Sequence, residues 1–166
     1  MPTPPLSDKI VELPELLAAL APLRRRGKRV VFTNGCFDLL HPGHVLYLEA
    51  ARDLGDVLVV GLNADASVTR LKGPTRPVLS QGERATVLAG LRSVDYVVVF
   101  EEDTPLRVIE ALRPDVLVKG GDWAPEAIVG RRVVEAAGGR VLTIPFRPGH
   151  STTGIVERLR ARRDGG

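Results

Sequence analysis

The 166-residue sequence predicts an α/β fold, a doubly wound, five-stranded parallel sheet with helices on both faces. Three observations lead there. Five short β-branched runs are apolar on both of their alternating faces, as strands covered on two sides must be. Helix-length segments separate consecutive runs, so the strands are joined by crossovers, which are right-handed in parallel sheets. The length suits one domain with a single substantial core.

Taken in order, residues 13–26 read as an amphipathic first helix and 29–33, Arg-Val-Val-Phe-Thr, as the first strand. A helix over 42–54 opens on Pro42, and 57–62, Val-Leu-Val-Val-Gly-Leu, is the second strand. The helix over 80–91 is announced by Ser80 and Glu83, an S-x-x-E capping box. Strand 95–100 follows, then a helix over 104–112 in which Thr104 precedes Pro105 at a first helical position. Residues 116–119 form the fourth strand. A helix over 124–137 ends before Gly138-Gly139, a common helix stop. Strand 141–145 and a last helix over 151–163 complete the chain.

With 44% hydrophobic and 26% charged residues, the composition is globular rather than disordered. The longest apolar runs, such as 57–62 and 96–100, fall far short of the ~20 residues that cross a bilayer, so no membrane partner is expected. The Pro-rich start, Met1 to Asp8, lacks the basic-then-apolar pattern of a signal peptide. A lone cysteine, Cys36, excludes a disulfide framework and a multi-cysteine zinc site. A cytoplasmic location is therefore expected. The formal charge is only +3, and Arg158, Arg160, Arg162 and Arg163 gather where they face the negative pole of the last helix. At 4% aromatic residues the chain lacks a base-stacking surface, and nucleic acid is not expected as a partner.

Open sheets of this kind bind ligands beyond the carboxyl ends of their strands, which directs attention to residues 34–44, 63–77, 101–103, 120–123 and 146–153. The first holds the sharpest pattern: Thr33, Asn34, Gly35, Cys36, Phe37 and Asp38 lead into His41-Pro42-Gly43-His44 at a helix start. Gly35 permits close backbone approach to a phosphate, and the opening amides of the helix form an anion site. His41 and His44, three apart, can point into one pocket. Neither a Walker phosphate loop nor a G-x-G-x-x-G turn occurs, which weakens kinase and dehydrogenase readings.

Three further segments lie on the same edge. Ser151, Thr152 and Thr153 offer more hydroxyls than a plain helix cap needs, and His150 before them reads as an exposed loop residue. Asn63 and Asp65 follow the second strand. Lys72 and Arg76 bracket a Gly-Pro turn where a phosphorylated acceptor and a leaving pyrophosphate need cations. Lys119, Gly120, Asp122 and Trp123 follow the fourth strand: the glycine admits a flat base, Asp122 suits a ribose hydroxyl, and Trp123 suits either a base wall or the core. Asp38 suits orienting the loop or a substrate hydroxyl, and Arg84 on the Ser80 helix could reach a phosphate.

The run Gly35 to His44 resembles the G-x-F-D-x-x-H-x-G-H signature of the cytidylyltransferase-like nucleotidyltransferases, matching every fixed position. The Ser-Thr-Thr segment resembles the one with which that superfamily grips nucleotide phosphates. Some members place an arginine at a fixed distance before it; Arg147 here is one residue closer, and His150 replaces an isoleucine. The resemblance implies a Rossmann-like form of the sheet, with residues 28–166 as the nucleotidyltransferase domain, 1–27 as an N-terminal extension and helix, and a single domain overall. His41, His44 and Lys72 would be catalytic. Thr33, Asn34, Gly35, Cys36, Phe37, Lys119, Gly120, Asp122, Trp123 and Ser151 to Thr153 would bind nucleotide; Asp38, Asn63, Asp65, Arg76 and Arg84 would bind the acceptor.

The longer runs over residues 60–78, 93–105, 114–123 and 149–153 resemble, within that superfamily, the heptose 1-phosphate adenylyltransferases, over about 28–160. This implies ATP as donor and a D-glycero-D-manno-heptose 1-phosphate as acceptor. It also implies Mg2+ carried with the triphosphate, no protein metal site, and a homodimer serving cell-envelope polysaccharide synthesis. Many bacteria fuse this activity to a sugar kinase; the length here leads to the expectation of the stand-alone form. Two other readings stay open: a cytidylyltransferase acting on glycerol 3-phosphate or a similar alcohol phosphate, and a non-catalytic nucleotide-binding protein.

Overall fold

A computed structural model describes residues 4–121 and 123–165. One parallel sheet contains β1 (Val30–Gly35), β2 (Val57–Asn63), β3 (Tyr96–Phe100), β4 (Val116–Gly120) and β5 (Arg140–Ile144), in spatial order β3-β2-β1-β4-β5. The helices among the described residues are α1 (Leu13–Arg25), α2 (Pro42–Arg52), α3 (Asp65–Lys72), α4 (Gln81–Ala89), α5 (Leu106–Leu112), α6 (Arg131–Ala136) and α7 (Thr152–Asp164).

Successive strand residues enter opposite cores. Val31, Leu58 and Val60 pack with Leu48 and Ala51 of α2 and Leu88 of α4. Val30, Phe32, Val57 and Val59 pack on the other face with Leu16 and Leu20 of α1, Ile109 of α5 and Val134 of α6. Both faces are covered, which is why these strands carry no polar stripe. The first residues belong to the same body: Ile10 bridges to Val97, and the Lys9 ammonium donates to the Val94 carbonyl at 2.8 Å.

The expected strands and most helices occur, with ends shifted by a residue or two. Two expectations need correction. Residues 65–72 form α3 where the sequence pattern predicts only a connection; its buried residues are only Ser67 and Val68, too few to make an apolar stripe. The single helix expected over 124–137 is instead a 3-10 turn at Pro125–Ala127 followed by α6, because Gly130 between them is left-handed at φ 84°. A β-carbon there would lie 2.6 Å from Ile109 Cδ1, so close packing on α5 requires the glycine.

Candidate active site

The sheet opens where its order reverses. β1 and β4 are in register only at Val31 with Val116 and Phe32 with Leu117, although β1 runs on to Gly35 and β4 to Gly120. Beyond those pairs the strand tips diverge, at the position where doubly wound sheets take their ligands. A cavity of about 690 Å³ lies there, walled by Asn34 to Asp38, His41 and His44, Lys72 and Arg76, Lys119 and Gly120, and Ser151 to Thr153.

The loop after β1 is held in a conformation it would not adopt alone. Phe37 and Leu39 have φ of 44° and 52°, left-handed values that cost on the order of 1–3 kcal/mol per non-glycine residue. Asp38 between them secures the turn. Its buried carboxylate accepts from the Val78 amide at 2.7 Å, the Leu79 amide at 3.1 Å and Arg76 Nε at 3.1 Å. Burial by itself would raise this carboxyl, but the two amides and the guanidinium outweigh it and hold its pKa below the ordinary value. Thr152 Oγ1 donates to the Asp38 carbonyl at 2.7 Å, so the Ser-Thr-Thr segment is tied to the histidine loop.

His41 is the N-cap of α2 and His44 its third residue, and their rings stack at 3.8 Å with 25° between planes. The His41 amide donates to His44 Nδ1 at 3.4 Å, which leaves the proton of the neutral His44 ring on Nε2. Burial, aided by His41, pushes the His44 pKa down to about 4. His41 is lowered too, by burial first and then by His150. Both are therefore neutral hydrogen-bond donors near neutral pH. His41 Nδ1 is buried without a partner. A third ring, His150, lies nearly parallel to His41 at 6.3 Å and 17°. A β-carbon on Gly43 would come within 2.9 Å of the His41 ring and 3.0 Å of His150 Cβ, so the glycine makes room for both.

Across the cavity, Lys119 Nζ sits 5.2 Å from the centroid of Trp123, whose indole N–H donates to the Gly120 carbonyl at 3.0 Å. Burial lowers the Lys119 pKa. Phe146, 60% exposed, lies over Gly120, where a β-carbon would be 2.6 Å from its ring. Two exposed aromatics and bare glycine backbone thus form a flat wall of the pocket, with the Lys119 ammonium over the indole. Burial pushes the Cys36 thiol up in spite of Lys72, Arg84 and Arg76, so it is not a ready nucleophile. Among the described residues, no group of three or more His, Cys, Asp and Glu is arranged to hold a metal ion.

The model of the cytidylyltransferase-like family matches residues 32–158, most of the chain. The chain belongs to the cytidylyltransferase-like family. It is 64% identical over 143 residues to the bifunctional protein HldE of Syntrophotalea carbinolica, covering 86% of this chain and 29% of that protein. With the bifunctional protein HldE of Geotalea uraniireducens it shares 60% over 157 residues, 94% of this chain and 32% of that one. The chain thus spans about a third of the length of these relatives. A crystal structure of the lipopolysaccharide core biosynthesis protein from Thermoplasma volcanium is similar with a TM-score of 0.58 and 27% identity, covering 73% of this chain and 98% of that one.

Within this cytidylyltransferase-like fold, most residues singled out in the sequence reach one cavity: His41, His44, Lys72, Asn34 to Asp38, Asn63, Arg76, Lys119, Gly120, Trp123 and Ser151 to Thr153. Three do not. Thr33 is buried and its hydroxyl is engaged with the Tyr47 hydroxyl at 2.6 Å, so its side chain is not available to nucleotide. Arg84 is 1% exposed and donates to the carbonyls of Leu79, Cys36 and Asn63 and to the Asp65 carboxylate, which leaves it no reach to an acceptor. Asp65 is its partner, outside the cavity wall. Asp122 lies outside the described residues. Arg147 is exposed and off the wall. Two further residues line the wall: Phe146, an exposed aromatic just past β5, and His150, which is exposed as expected of a loop residue but stands beside the Ser-Thr-Thr run. Both lie in a segment the edge rule had already marked, but a lone aromatic or histidine carries no spacing pattern.

Proposed function

We propose that the chain transfers AMP from ATP to D-glycero-D-manno-heptose 1-phosphate, forming ADP-heptose and pyrophosphate for cell-envelope polysaccharide. One observation carries the chemistry: two stacked, neutral imidazoles and the Ser-Thr-Thr segment face the same cationic cavity. The acceptor is supported by the heptose-type motif runs and by the identity to part of the HldE proteins. The name of the similar Thermoplasma volcanium structure, lipopolysaccharide core biosynthesis, points the same way.

In this reading an oxygen of the sugar phosphate attacks the α-phosphorus, the bond from that phosphorus to the bridging oxygen breaks, and pyrophosphate leaves. The attacking group is largely dianionic at neutral pH, its second pKa being about 6, so no general base is needed. Catalysis is positioning and charge stabilisation. His41 and His44 donate to phosphoryl oxygens, and Lys72 neutralises charge between the substrates. Trp123 and Phe146 flank the base beside Gly120. Magnesium enters with ATP as part of the substrate. The described carboxylates on the wall, Asp38 and Asp103, already pair with Arg76 and Arg70, so the phosphates of ATP would hold the ion, which would offset charge on the departing pyrophosphate.

Pyrophosphate release measured with ATP or CTP against heptose 1-phosphate or glycerol 3-phosphate tests the assignment. Release only with ATP and the heptose is expected, and release only with CTP overturns it. A homodimer is proposed on the same resemblance, and light scattering that returns the monomer mass over micromolar concentrations would remove it.

A further inference from the structure

We propose that His150 is a third phosphate-binding imidazole, donating to the pyrophosphate that leaves. The inference rests on the nucleotidyltransferase reading and deepens it. His44, His41 and His150 form a row of rings along the cavity, the first two in contact and the third nearly parallel to His41. His150 directly precedes Ser151, whose hydroxyl accepts from the Gly154 amide as the cap of α7, so the ring stands at the anion-attracting end of a 13-residue helix. The loop is fixed in place by the bond from Thr152 to the Asp38 carbonyl. Gly43 leaves room for His150 against the histidine loop, since a β-carbon there would lie 3.0 Å from His150 Cβ.

A triphosphate whose α-phosphorus faces His41 and His44 extends its β- and γ-phosphates toward the Ser-Thr-Thr loop. The donor next to that loop on the row is His150. It touches the part of ATP that departs and not the acceptor.

The test uses the full chain and titrates inorganic pyrophosphate by calorimetry, alongside forward kinetics with ATP. A hydrogen bond to a charged group implies that His150→Ala raises the pyrophosphate Kd and the KM for ATP about tenfold. The KM for sugar phosphate and the melting temperature should stay at wild-type values, and His150→Gln, which keeps an N–H donor, should recover most of the loss. Unchanged pyrophosphate affinity in His150→Ala overturns the proposal, and so does an equal loss for both substrates, which would mean general damage to the loop. A wild-type chain that binds neither pyrophosphate nor ATP overturns the nucleotidyltransferase reading itself, a distinct result.

Discussion

Substituting His44 by alanine removes a donor whose proton is fixed on Nε2 by the His41 amide. Turnover should fall ~10²–10³-fold, the usual cost of one preorganised donor, with little change in the melting temperature. Wild-type turnover in that variant would remove His44 from the chemistry. The same residue gives a pH signature. Its folded pKa is about 4 against an ordinary 6.5, so the unfolded chain takes up the proton first as pH falls. Stability is unaffected above 6.5 and declines between 6.5 and about 4, a slope that urea unfolding should show and that His44→Gln should flatten. Asp38 acts in a lower window, because its depressed carboxyl contributes stability that is lost only as pH drops through that folded pKa. Arg84 illustrates the opposite kind of residue. Its guanidinium satisfies three carbonyls and a carboxylate while almost wholly buried. Arg84→Lys cannot span them, and each orphaned buried carbonyl costs roughly 1–3 kcal/mol, so a large fall in unfolding free energy is expected before any effect on substrate binding.

Among the elements, the two terminal helices divide structure from function. α1 inserts Leu16 and Leu20, both essentially unexposed, into the core under β1. Deleting residues 1–27 removes two buried leucines worth roughly 1.5–3 kcal/mol each, so we propose that this extension is part of the folding unit and that the shortened chain does not melt cooperatively. A shortened chain with a native melting curve would make 28–166 the complete domain. The capping box of α4 was readable as Ser80 and Glu83 and forms as read, with the Ser80 amide donating to Glu83 at 2.8 Å. Ser80→Ala should cost about 1 kcal/mol in chemical denaturation. α3 was not readable, since a helix that buries two small residues and exposes Arg70, Leu71 and Lys72 shows no apolar periodicity.

At the scale of the molecule, the core and the cavity are separable. α7 has no buried residue, yet its first turn forms part of the cavity wall. Truncation after Gly149 should therefore leave far-ultraviolet circular dichroism, apart from the lost helix, and the melting transition close to those of the whole chain, while pyrophosphate and ATP binding disappear. Loss of cooperative melting in the truncated chain would show that α7 supports the fold.

The strand pattern, the histidine signature and the edge on which ligands bind were all fixed by local order in the sequence: β-branched alternation sets a strand, and residues three apart at a helix start share a face. The tertiary structure alone decided what each charge is bound to. Arg76 and Arg84 look alike as letters, but one lies on the cavity wall paired with Asp38 and the other is consumed by the Leu79 carbonyl just before its own helix and by carbonyls from two distant segments. The neutrality of His44 and the place of His150 beside His41 were decided there too. Burial and contacts between residues more than 100 positions apart have no local sequence signal, because they arise only when separate strand tips converge.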